Sequence, residues 1–146
     1  SGGDSMIRRY ALALAFLPFA GYAADTPGSE CARPGHYNEE MLLSALSREG
    51  VKDIDRAKTR VNIVSIAPVS DVFAHQLAQA DAKAGNGLSV NEYYKIYRDD
   101  DVLNLTAKYS YTNSEGKHGV FIASSLLNNN ECSVRFNGYL TLSREF

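Results

Sequence analysis

The amino-acid sequence predicts an α+β fold. Two or three N-terminal helices pack on one face of a mostly antiparallel sheet, which is a C-terminal meander of about four strands plus a strand at residues 61–67. Three observations predict it. Apolar residues recur at helical spacing as far as Tyr97. From Val102 the period shortens to two. Short polar clusters rich in Asn and Gly then separate the alternating runs.

Ser1–Ser5 (SGGDS) precede Met6 and read as an expression remnant. Met6–Ala23 reads as a cleaved signal peptide. Arg8 and Arg9 form its basic start, Tyr10–Phe19 its apolar run, and Gly21 and Ala23 supply small residues at the −3 and −1 positions. A membrane anchor fits less well, because the run is short and Pro18 interrupts it. A core helix is the other rival. Residues 24–37, rich in Pro and Gly, are expected to form an irregular arm, and residues 38–146 a single α+β domain.

Asn38 is expected to cap the first helix, with Glu39 and Glu40 in its first turn, Met41, Leu42, Ala45 and Leu46 on its apolar stripe, and Gly50 ending it. Lys52–Arg60 is polar, a connector or a short helix. Val61–Ala67 is β-branched, stops at Pro68 and reads as a largely buried strand. Ser70 or Asp71 caps the next helix, with Phe73, Leu77, Ala80 and Ala84 on one face. Ser89 and Glu92 have the spacing of a capping box, and Val90, Tyr93, Tyr94 and Tyr97 continue as a short helix.

Leu103, Leu105, Ala107, Tyr109 and Tyr111 alternate with polar residues, the clearest strand in the chain. Asn113–Gly116 is a turn and Gly119–Leu127 the next strand. Cys132, Val134 and Phe136 alternate again, Asn137-Gly138 signals a hairpin, and Tyr139–Ser143 is the last strand.

The formal net charge is −2, and −3 once the leader is removed. No basic cluster exists that would neutralise several phosphates, so nucleic acid is not an expected partner. No further apolar run approaches the roughly 20 residues of a membrane span. The only cysteines are Cys31 and Cys132. In an oxidising compartment they read as one disulfide, with two independent buried thiols as the rival. They lack the close pairing of zinc ligands, and no metal or other cofactor is expected.

No catalytic residues are expected. His36, His75 and His118 lie in separate regions, and no G-x-S-x-G turn occurs. Asp99, Asp100 and Asp101 lack the spacing of a calcium loop and read as a solvated turn. Asn104-Leu105-Thr106 has the N-glycosylation spacing but lies in a predicted strand.

The candidate binding surface is Tyr93, Tyr94 and Tyr97 with Asp99, Asp100 and Asp101, since Tyr offers large contact area and a polar tip; the favoured rival for the tyrosines is that their rings pack helix on sheet with the hydroxyls at the rim. The hairpin tips at residues 113–118 and 128–130 are further candidates. The functional expectation is an exported, periplasmic or secreted protein that binds a protein partner in the envelope, such as an inhibitor, an immunity protein or an accessory factor. Two alternatives stand beside it: a small-ligand module with a pocket between sheet and helices, and an enzyme without a local motif.

Overall fold

A computed structural model describes residues 26–146. The expected remnant and signal peptide lie outside these residues. Among the described residues the helices are α1 (Tyr37–Arg48), α2 (Asp71–Lys83) and α3 (Val90–Tyr97). The strands are β1 (Arg60–Pro68), β2 (Leu103–Thr112), β3 (His118–Leu127) and β4 (Arg135–Arg144). They pair in the order β1-β2-β3-β4, antiparallel throughout. The α+β prediction holds, and the whole sheet has four strands, with β1 among them rather than added to four.

The missing strand comes from Asn137-Gly138. These residues do not turn the chain. They sit inside β4 as a bulge, where Phe136 faces Ser125, Gly138 faces Ser124, and Asn137 is the extra residue. Gly138 supplies the positive φ of 125° that the bulge uses. An Asn-Gly pair satisfies either geometry, and here β3 stays within reach on both sides of the pair, so pairing continues.

Alternation splits the sheet into two faces. Leu105, Ala107, Tyr109 and Tyr111 of β2 and Phe121 and Ala123 of β3 form the first, packed under Leu42 and Leu46 of α1. The arm is more ordered than expected. A 3-10 turn at Ser29–Ala32 buries Cys31 and Ala32 in this core, and the Cys31–Cys132 disulfide closes it, with the two Cα atoms 5.4 Å apart.

The other helices do not share that face. α2 and α3, which lie between β1 and β2 in the chain, pack against each other, with a second core of Ala74, Leu77, Ala78, Tyr93, Tyr97 and Val102 that meets Leu126 on the opposite sheet face. The connection leaves β1 at one end of the sheet, so this pair caps one end of the second face.

The local signals mostly specify the ends of the elements. Ser70 Oγ accepts from Phe73 N, and Ser89 and Glu92 form the full capping box. α1 begins two residues earlier than its pattern suggests. His36 stands at its N-cap, while Asn38 is fully buried inside the first turn. The buried residues of α2 are Ala74, Leu77 and Ala78, and Ala80 and Ala84 face solvent. β1 is a half-exposed edge strand with a bulge at Val64, not a buried one.

Candidate functional site

Two polar clusters link the helices to the sheet. On the first face Asn38 Nδ2 donates to Tyr109 Oη and to the Ala123 carbonyl, both at 3.2 Å. Tyr109 Oη donates to the Ala32 carbonyl at 2.7 Å. Glu39, only 3% exposed, accepts from Gly35 N at 2.8 Å and from Tyr111 Oη at 3.0 Å. Burial pushes the Tyr109 phenol up to about 12. Burial, with the adjacent Glu39 carboxylate, raises Tyr111 as well. Both carboxylate oxygens of Glu39 are engaged, so this cluster holds α1 and the arm in place.

The second cluster sits where α2 meets β4. Arg135 forms a two-pronged pair with Asp81, with Nε and Nη2 each 2.8 Å from a carboxylate oxygen. Tyr97 Oη donates to the same carboxylate, and the guanidinium lies over the Tyr97 ring. The Arg135 hydrogen bonds hold Asp81 below the usual carboxylate range, and in return Arg135 is raised. Burial, then the Asp81 bond, raises Tyr97. Arg135 Nη1 also donates to Asn137 Oδ1 at 3.0 Å. Asn137 Nδ2 in turn reaches Asn104 Oδ1 at 3.2 Å and Ser124 Oγ at 3.0 Å. The bulge therefore aims Asn137 into a network spanning three strands.

Beside this network lies a cleft of about 360 Å³. Thr106, Ser124 and Asn137 form its polar floor, and Phe73, Ile122 and Leu140 are its apolar walls. Beyond the reach of the helical pair, the second face continues as open sheet. Leu140 is 67% exposed there, and Val120 and Ile122 are half-buried. This cleft and the open face next to it form the candidate site.

The residues singled out from sequence are distributed differently. Tyr93 and Tyr97 are 7% and 5% exposed and pack in the second core, so of the three tyrosines only Tyr94 lies near the surface. It stacks on His75 at 4.0 Å, and its hydroxyl donates to Asp71. Asp99 Oδ1 accepts from Asp100 N at 2.9 Å, which shapes the turn into β2. Asp101 accepts from Asn129 N at 3.3 Å, bringing the acidic run against the tip at residues 128–130. The tip at residues 113–118 lies at the other end of β2 and β3. His36, His75 and His118 stay apart, with His118 Nδ1 3.2 Å from Thr112 Oγ1. The tyrosine hydroxyls of Tyr94, Tyr97, Tyr109 and Tyr111 all bond within the fold, and none converges on a cavity.

Sequence reasoning missed Asp81, Arg135, Asn137 and Asn104. Asp81 and Arg135 are 54 residues apart, and no local pattern joins them. The one available signal was the Asn-Gly pair, read as a turn. Asn104 falls on the polar side of the β2 alternation, and its side chain is engaged in the network. No helix among the described residues is long and apolar enough to cross a membrane. No protein-family model matches this chain, and neither a curated protein nor a solved structure matches it.

Proposed function

We propose that this is an exported binding protein that holds a protein partner on the open half of its second sheet face. An inhibitor, an immunity protein or an envelope accessory factor is the class of protein this reading proposes. Export rests on the leader pattern of Met6–Ala23 and on the Cys31–Cys132 disulfide, which is a feature of oxidising compartments. The observation that carries the binding reading is the exposed aliphatic surface of an ordered sheet. Leu140, Ile122 and Val120 lie side by side beside the Phe73 cleft, where solvent exposure leaves apolar area uncovered.

The test is co-purification from an envelope extract with the oxidised chain and its Leu140→Asp variant. A protein retained at micromolar concentration by the first and lost by the second is the expected result. Equal retention by both, or none by either, removes the reading. The polar floor of the cleft supports a second use, in which a small amphiphilic ligand sits between Phe73 and Ile122. Phe73→Ala would then weaken ligand binding more than protein capture.

A further inference from the structure

We infer that the partner docks through an acidic amphipathic segment, one that sets Asp or Glu beside aliphatic side chains. This rests on the reading of the open face as a protein-binding surface and specifies what that surface takes.

Charge is distributed unevenly over the sheet. None of the four strands contains an Asp or Glu, although acids outnumber bases in the chain as a whole. The strands carry Arg60, Lys108, Arg135 and Arg144. Where a helix reaches the sheet, its own region supplies the missing carboxylate. Asp81 of α2 pairs with Arg135. Glu49, at the C-cap of α1, pairs with Arg144 at 3.3 Å on the other face. Arg60 and Lys108 have no ion-pair partner among the described residues. Both lie on the second face, in the half that α2 and α3 leave open.

The register puts these cations next to the exposed aliphatics. One row across the sheet reads Asn62, Lys108, Ile122, Leu140, and the neighbouring row reads Arg60, Ser110, Val120, Ser143. With strands about 4.8 Å apart, Lys108 and Leu140 stand roughly 10 Å from each other. That is the width of one helix. An amphipathic helix laid here would cover Ile122, Val120 and Leu140 with its apolar stripe and offer carboxylates to Arg60 and Lys108. It would repeat on the open half what α2 does on the covered half. A protein segment is favoured over an anionic bilayer. Two cations supply little attraction to a lipid surface, and the cleft walled by Phe73 is concave, where a flat membrane needs a protruding apolar edge.

The experiment selects a displayed library of random 16-residue peptides on the oxidised chain. The expected result is enrichment of peptides carrying Asp or Glu at helical spacing from Leu, Ile or Phe. Binding should weaken at least tenfold in the Arg60→Glu/Lys108→Glu variant and in Leu140→Asp, and several-fold in the milder Arg60→Gln/Lys108→Gln variant. It should stay unchanged in Lys95→Glu, a charge reversal on α3. Affinity should also fall as salt rises. Thermal unfolding verifies that each variant keeps its fold. Enrichment of neutral or basic peptides, or no enrichment, overturns the inference. So does sedimentation with phosphatidylglycerol vesicles that depends on Arg60 and Lys108. Capture that responds to Leu140→Asp but not to either charge variant removes the acidic partner and leaves the binding face standing. Loss of any response to Leu140→Asp removes both.

Discussion

The side chains that most constrain this molecule are polar groups held at contacts between elements. Arg135 and Asp81 join the helical pair to the last strand. Arg135→Ala leaves Asp81 without its cation and Tyr97 without its covering guanidinium, and should cost about 2–3 kcal/mol in urea unfolding. The acid limb has a definite sign. Asp81 is depressed in the folded state from its ordinary 3.8, so its contribution is present above about pH 4 and is lost as pH falls through the folded value. Asp81→Asn should be less stable at neutral pH and should lose less of its Tm between pH 5 and pH 2. At the alkaline end, Tyr109, Tyr111 and Tyr97 are raised, so stability is intact below pH 10 and falls as pH climbs past it. Tyrosinate absorbance from these rings should appear only with unfolding. Ser125 points the other way: its hydroxyl is fully buried with no partner among the described residues. Ser125→Ala should therefore stabilise the protein, by about 1 kcal/mol, since it removes a desolvated polar group from an apolar site.

At the level of elements, the Asn137 bulge, one of two in β4, places the Asn137 side chain in its three-strand network. A Cβ at Gly138 meets nothing within 4 Å, so Gly138→Ala adds no clash and strains only the backbone at φ 125°. The expected cost is about 1–3 kcal/mol, with a weaker Asn137 network, measurable as faster amide exchange along residues 135–140. This element also shows what the sequence could reveal. Capping at Ser70 and Ser89 and alternation in β2 were legible because they depend on residues within one turn or one strand. Whether Asn137-Gly138 turns or bulges depends on β3, which continues opposite both sides of the pair, and no residue near position 138 encodes that. Packing of the tyrosine rings is the favoured expectation and Tyr93 and Tyr97 meet it, but the same limit applies to which of the three is buried. Their helical spacing was plain, but which face meets α2 is decided by Leu77 and Ala78, more than ten residues away. The candidate site was less legible still. Lys108 was readable as a wet-face residue of β2, whereas its row with Ile122 and Leu140 exists only once three strands are in register.

Across the whole molecule, the helices divide between the sheet's two sides: α1 and the arm cover one, and α2 with α3 cover part of the other. The disulfide ties the first side together by joining the arm to the segment before β4, across 101 residues. Reducing it should lower stability by about 4–5 kcal/mol in the chain-entropy account, read as a lower urea midpoint with reductant present. The arm should then release Cys31 and Ala32 from the core. That long span also sets a clock. A chain made at roughly 5–20 residues per second completes Cys132 on the order of 5–20 seconds after Cys31. No other cysteine lies between the two, so for that interval the first thiol meets no later cysteine of its own chain. β1, β2 and β3 all lie between the two cysteines, so the latch can close only after the segment carrying those three strands has been made.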